Sequence, residues 1–293
     1  RDPYQIYARH VLGLLPLDPI DDDPGGAQRG EFIHAALETF VRNHMDDIPH
    51  NAVALLLEYG RAALDAQAIP PEVEAFWWPR FERVAAWFVR FEQERREMSR
   101  TLGTEVQGKL EIDLGGSIFT LTAIADRLDL NHNDQVDIID YKTGSVPTQK
   151  SVALGFSPQM TLEALIAFTG GFEGIDAGDV GSLQYWKLSG GRPAADVTTV
   201  KGDVREMVNQ AREGITNLMR AFNDPKTPYV TAPRADWAPR YNDYTHLSRV
   251  GEWSTVKSTV TSKPSVNRKT TKTPANGNRR RTTPARGNNM KRK

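Results

Sequence analysis

Two carboxylates and an ammonium fall at spacings that a pair of strands would bring together. Asp126 lies in Ile124-Ala125-Asp126-Arg127-Leu128-Asp129, and fourteen residues later comes Asp140-Tyr141-Lys142-Thr143-Gly144. In a strand, residues i and i+2 share a face, so Asp140 and Lys142 project together. The apolar run Val136-Asp137-Ile138-Ile139 before them predicts a buried strand that delivers both groups at its end. If the preceding strand pairs antiparallel through the polar turn at 131–134, Asp126 comes alongside. Charges held at the end of a buried hairpin are costly unless something uses them. Metal-assisted phosphodiester hydrolysis would: Asp126 and Asp140 as ligands of a divalent ion, Lys142 to position or deprotonate a water and offset developing charge. A structural ion pair at a hairpin end is the other reading of the same three residues.

The elements that must position this group follow from periodicity. Residues 3–14 read as a helix, with Asp2 as N-cap and Pro3 at the first helical position. Asp21–Gly26 reads as a loop. Helices are expected over about 28–44, 52–68 and 72–98, the last kinked or divided at Pro79. Its aromatic stripe, Phe76 to Phe91, reads as core or subunit interface, and its arginines, interleaved with Glu, as a solvated face. Strands are expected over 105–114, 117–129, 136–142 and 182–188, with helices over 158–169 and 203–222. The order β-β-β-α-β-α after a helical leader makes a mixed α/β core. The expected divisions are a helical leader (1–100), a core (101–253) and a basic disordered tail (254–293).

Composition narrows the chemistry. With 25% charged and 39% apolar residues, the 293-residue chain is an ordinary globular one with a single substantial core. Net charge is zero, yet twelve Lys/Arg and no Asp/Glu lie in 254–293, leaving 25 basic against 37 acidic side chains elsewhere. An acidic body suits a domain handed its substrate by a partner better than a free-standing nucleic-acid binder. There is no cysteine, which excludes disulfides, thiolate zinc, cysteine nucleophiles and cysteine-bound iron–sulfur clusters. Any metal must be held by oxygen and imidazole, which favours magnesium or manganese. A reducing cytoplasmic setting fits. No apolar run approaches the roughly 20 residues that span a bilayer, so no membrane contact is expected. No Gly-x-x-x-x-Gly-Lys-Ser/Thr loop exists, so no ATP site is expected within the chain. Lys142-Thr143-Gly144 also occurs as a β-lactamase motif, but the only Ser-x-x-Lys, Ser254 to Lys257, follows it in the polar tail. The start Arg1-Asp2-Pro3-Tyr4 lacks an initiator Met and a signal-peptide pattern, as a piece of a longer chain would, and as processing would also leave it.

Taken in order, Gly30-x-x-Ile33-His34-x-x-Leu37-Glu38, Asp126-Arg127-x-Asp129, Asp140-Tyr141-Lys142-Thr143-Gly144 and Gln159 resemble the motif set of RecB-type PD-(D/E)XK nucleases. More narrowly, Asp-Pro-Tyr-x-x-Tyr-Ala at the start and the stretch from Asp140 to Lys150 resemble the C-terminal part of the AddB family in its alphaproteobacterial form. AddB proteins are subunits of helicase–nucleases that resect double-strand breaks for recombination. The resemblance covers about residues 1–253 and implies a restriction-endonuclease-like mixed sheet flanked by helices. It further implies a DNA substrate, Mg2+ or Mn2+, an AddA-like helicase–nuclease partner and a nucleoid-associated cytoplasmic location. In that family His34 and the Tyr141 backbone carbonyl would join Asp126 and Asp140 as metal ligands, and Gln159 would contact the active site or DNA.

Two departures stand out. The family usually has Tyr four residues after the Gln, and this chain has Glu163. Many AddB proteins carry a cysteine-bound cluster, which this chain cannot. A catalytically inactive DNA-end-binding or scaffold module therefore remains an alternative, and a stand-alone CRISPR-type exonuclease lacks its usual cysteines here. His34 and Glu38 could be a helix-surface pair, Arg127 a phosphate contact or a salt-bridged strand residue, and Asp129 is structural. The tail could bind nucleic acid through counterion release or be a non-native reading-frame product.

Overall fold

The computed structural model describes residues 2–16, 25–67, 69–233, 238–239 and 242–249. The expected basic tail, and residues 21–24 of the expected Asp-rich loop, lie outside the described residues. The chain divides into two units, Arg1–Tyr244 and Thr245–Lys293; the second contributes one described helical turn, Thr245–Ser248. No helix among the described residues is long and apolar enough to cross a membrane.

The leader begins with α1 (Pro3–Ile6), capped by Asp2, whose carboxylate accepts from Tyr4 N at 3.2 Å, and continues as a π-helical turn over Tyr7–Val11. Three longer helices follow: α2 (Gly26–Asn43), α3 (Ala52–Ala66) and α4 (Pro71–Arg96). Pro79 does not divide α4. It lies on the exposed side of the helix, where water can serve the carbonyl left without an N–H partner. The stripe of α4 is core, as its spacing predicts: Trp77, Phe81, Val84, Phe88 and Val89 are buried, while Phe76 is 60% exposed. Gly60 of α3 admits this packing, because a Cβ there would meet the Phe81 ring at 2.0 Å.

The sheet runs β1 (Ser99–Asp113), β2 (Ile118–Asn131), β3 (Val136–Lys142), β4 (Val180–Lys187) and β5 (Asp196–Thr199), neighbours in that order. All pairings are antiparallel except β3 with β4. The crossover between these two carries α5 (Gln149–Ala153) and α6 (Gln159–Phe168), and α7 (Val204–Asn223) follows β5. The mixed α/β expectation therefore holds. The sequence reading missed α5 and β5, each too short to show a period, and began β1 six residues late.

β3 is buried through its first six residues because both its faces are covered. Ile139 and Tyr141 pack with α2, α3 and α4, together with Trp186 and Leu188. Val136 and Ile138 pack with α6, Leu183 and Tyr185 on the other side. The helices of the leader and the sheet thus share one core.

A buried ionic network ties α4 to β2. Arg127 is 1% exposed and donates to Glu92 at 2.7 and 2.9 Å, to Asp129 at 2.7 Å and to Thr101 at 3.0 Å. Arg95 reaches the same Asp129 at 2.7 Å and Asp137 at 3.2 Å. Removing one partner strands the others in a dry site. We expect Glu92→Ala, which strands both Arg127 and Arg96, to cost roughly 3–5 kcal/mol in urea unfolding, and the apolar pair Glu92→Met with Arg127→Met, which strands only Arg96, to cost less. Equal losses in the two proteins would mean that the network holds no isolated charge.

Candidate active site

The strands β2 and β3 pair from Leu130↔Val136 to Arg127↔Ile139 and then part. At the next position the ladder is replaced by a side chain: Tyr141 N donates to Asp126 Oδ2 at 2.7 Å. A backbone donor that would otherwise lose its partner is satisfied by a carboxylate, and the parting strands leave room beside it. Asp140 and Lys142 lie on the α6 face, as their spacing predicts. Lys142 Nζ donates to Asp140 Oδ1 at 2.6 Å, and the same oxygen accepts from Gln159 Nε2 at 2.7 Å. Gln159 Oε1 lies 3.4 Å from Lys142 Nζ, so the first residue of α6 holds both groups. The other oxygen, Asp140 Oδ2, is buried with no hydrogen-bond partner among the described residues.

His34 comes from the middle of α2. Its Nε2 lies 2.9 Å from the Tyr141 carbonyl and its Nδ1 lies 3.7 Å from Asp126 Oδ2. A carbonyl only accepts, so Nε2 carries a proton and donates to it, and Nδ1 is the nitrogen that faces the carboxylate. The Tyr141 carbonyl, a ligand in the family pattern, here orients His34 and keeps a second lone pair. Gly30 of α2 faces Thr143, where a Cβ would come within 3.3 Å of Thr143 Oγ1, a tight contact.

One member of the group was not found from the sequence. Glu105, on β1, lies across from Asp126, between the pairs Thr104↔Arg127 and Val106↔Ala125. With His34 and Asp126 it offers ligand atoms all within 4.8 Å of one another. Its backbone is left-handed, φ 49°, a conformation that costs a non-glycine residue roughly 1–2 kcal/mol. The only signal in the sequence was a Glu amid an apolar-polar alternation, which any exposed strand position would show.

Arg127 is not brought to this group. It follows Asp126 in β2, points to the opposite face and has its guanidinium saturated by the network around Glu92, so its surroundings match the salt-bridged reading and not a phosphate contact. Asp129 belongs to the same network.

The electrostatics describe crowded negative charge. Burial raises Asp140 to about 6, with Asp126 adding to the rise and Lys142 and His34 opposing it. Burial raises Glu105 to about 7, helped by Asp126 and Glu38. Glu163, one turn after Gln159, rises to about 8 through burial, with the Gln159 amide opposing and Asp140 and Asp126 adding. Among the described residues Glu163 Oε2 and the Tyr185 hydroxyl are buried without partners, and Tyr185 pairs with Asp140 in the β3–β4 register. Imidazole and carboxylate donors of this kind, with an orphaned carboxylate oxygen beside them, fit Mg2+ or Mn2+. His34, Glu105 and Asp126 are the group that could hold it, with Asp140 beside them.

The profile of the PD-(D/E)XK nuclease superfamily matches residues 2–237. The chain belongs to that superfamily. Its members are nucleases that use divalent metals, and the ordered group of Asp126, Asp140 and Lys142 is where such a metal site would lie. Relatives include uncharacterized proteins of Rickettsia bellii, 26% identical over 260 residues, and Rickettsia felis, 27% identical over 289 residues. These alignments cover 84% and 85% of this chain but 31% and 33% of the relatives, so the chain spans about a third of their length. Among solved structures, that of SSO0001 aligns with 83% of this chain and 93% of its own at 12% identity and a TM-score of 0.31, a likeness too loose to argue from.

The raised carboxyls set a pH trend. Each has a folded pKa above its unfolded value, so its contribution to stability is full below about pH 4 and is lost as pH rises through the folded pKa values. For Asp129, burial acts upward, but Arg127 and Arg95 outweigh it and hold the carboxyl below its usual range, so its contribution fails only in stronger acid. Without metal, Tm should therefore fall from about pH 5 to about pH 8, and Mn2+ should restore it most at the upper end. A metal-free Tm that climbs across that window would contradict the crowding. Glu105→Asn tolerates left-handed backbone and removes one charge. It should raise the metal-free Tm while weakening Mn2+ binding by at least roughly tenfold in calorimetry; unchanged affinity would remove Glu105 from the ligand set.

Proposed function

We propose that this domain is a metal-dependent deoxyribonuclease, an exonuclease acting at DNA ends within a helicase–nuclease that resects double-strand breaks for recombinational repair. The observation that carries the catalytic part is the contact of Lys142 Nζ with Asp140 Oδ1 at 2.6 Å, beside the cluster of His34, Glu105 and Asp126. A bound Mg2+ or Mn2+ would supply Lewis-acid polarisation of a phosphodiester and acidify a water. The protein's own residues do the rest. Lys142 is partly exposed; with N–H groups directed to Asp140 and Gln159, its ammonium keeps one donor for an attacking water or a non-bridging phosphate oxygen. Gln159 fixes Asp140 and Lys142 relative to each other, which holds the ammonium in place before substrate arrives. His34, with its tautomer set by the Tyr141 carbonyl, presents one nitrogen without further reorganisation.

The resection setting rests on the resemblance of the start and of the Asp140–Lys150 stretch to AddB proteins. It is supported by the acidic body, which suits delivery of DNA by another subunit, and by the lack of a phosphate loop in the sequence. An AddA-like helicase–nuclease subunit is the partner we propose, in the cytoplasm at the nucleoid. The alternative is an inactive nuclease-fold module that binds DNA ends; Glu163, in the place of the usual Tyr, is the residue that favours it.

Cleavage of linear single- and double-stranded DNA separates the two. We expect cutting with Mg2+ or Mn2+, none with EDTA, and a loss of at least about a hundredfold in Lys142→Ala with its thermal unfolding unchanged. A folded wild-type protein that binds ends but cuts nothing, with the AddA-like subunit present, would leave the inactive module.

A further inference from the structure

We propose that Arg29 and Arg80 form a phosphate-binding subsite beside the cluster, gripping the backbone of the nucleic-acid strand away from the phosphodiester to be cut. The inference rests on the nuclease reading above and adds to it a site for the uncut part of the substrate.

Two helices deliver these arginines to one place. Arg29, in the first turns of α2, donates through Nη2 to the Thr143 carbonyl at 3.0 Å, one residue beyond Lys142. Arg80, on α4, lies against Gly190. A Cβ on that glycine would come within 2.5 Å of the Arg80 carbonyl oxygen and 2.6 Å of its Cβ, and the backbone is left-handed there, φ +64°. Two residues earlier, Leu188 N donates to the Lys142 carbonyl at 2.7 Å. Arg29 and Arg80 therefore flank the end of β3 where Lys142 is presented. Arg83, one turn from Arg80, donates to the Gly190 carbonyl at 2.8 Å. This side of α4 is thus directed at a loop beside the site, and is not the solvated face its interleaving with Glu suggests.

The charges of the pair are not used internally. Among the described residues neither has a carboxylate within salt-bridge distance, whereas the arginines of the core, Arg95 and Arg127, have two carboxylate partners each. Burial and, after it, the charge of Arg80 lower the pKa of Arg29, so the two guanidinium groups oppose each other. The Arg80 guanidinium also lies 4.4 Å from the ring centroid of the exposed Phe76, which covers one of its faces. Two half-buried guanidinium groups without a carboxylate partner, in an otherwise acidic body, are placed to receive an anion between or beside them. Guanidinium forks match phosphate oxygens, and a phosphate backbone is the anion that a nuclease site brings to this end of the sheet.

The test is the salt dependence of binding. A fluorescent single-stranded oligonucleotide is titrated with the 293-residue protein in EDTA, for wild type, Arg80→Gln, Arg29→Gln and the double variant. Each lost contact should lower the slope of log K against log salt by about 0.7, and the double variant by about twice that. Affinity for Mn2+ and Tm should be no lower than in wild type. Arg80→Gln leaves the bond to Thr143 in place, so its result does not depend on that loop. Slopes equal to wild type overturn the subsite while leaving the nuclease reading intact. A slope change that arrives only with lost Mn2+ affinity or lost Tm assigns the arginines to folding and also overturns it. A wild-type protein that neither binds the oligonucleotide nor cuts DNA sinks the nucleic-acid reading itself, and the subsite with it.

Discussion

Backbone hydrogen bonding allows few exceptions, and the site is built around one of them. Where β2 and β3 separate, Tyr141 N would lose its strand partner, and Asp126 supplies a carboxylate oxygen in its stead. That substitution lets two paired strands diverge inside a covered sheet without leaving a buried donor unsatisfied. It also fixes the Asp126 carboxylate on the side where His34 and Glu105 converge. The hairpin geometry, the opening beside β3 and the position of the first acidic group are therefore set by a single contact.

The carboxyls placed around that opening crowd negative charge that Lys142 only partly offsets. Asp140 is pinned by Lys142 and Gln159, Glu105 is held in a left-handed backbone conformation, and Glu163 is buried behind them. Such an arrangement is unfavourable in isolation: three carboxyls retain protons well above their ordinary range. A divalent cation would relieve it, so affinity for a metal and instability without one would have one physical source. The cost is carried by a core that both faces of the sheet share with helices.

Much of this was legible in the sequence because strands announce themselves through alternation. Asp140 and Lys142 two apart after an apolar run, and Asp126 before a polar turn, fixed the hairpin and its carboxylates. His34 and Gln159 became visible only through the resemblance of the ordered motifs, since a lone His or Gln on a helix has many ordinary uses. Glu105 was not legible. Its role depends on a register between β1 and β2 that shifts by one residue between Thr101 and Gly103, and no local pattern encodes such an irregularity. Arg29 and Arg80 were missed for a related reason: their convergence depends on how α2 and α4 meet the ends of β3 and β4. The strand β5, four residues long, gave no period to read.

Asp126 and Arg127 are neighbours in sequence that serve opposite faces of β2, one partly exposed among acidic groups, the other buried among its ionic partners. A one-residue slip of this strand would exchange them. The guanidinium would turn into the acidic opening, and the carboxylate would be driven against Glu92 with no cation to receive it. Misaligned hairpins are thus penalised twice over by one dipeptide. The pair acts as a proofreading device for strand alignment, and the same two residues that separate chemistry from anchoring also select the one pairing in which the separation exists.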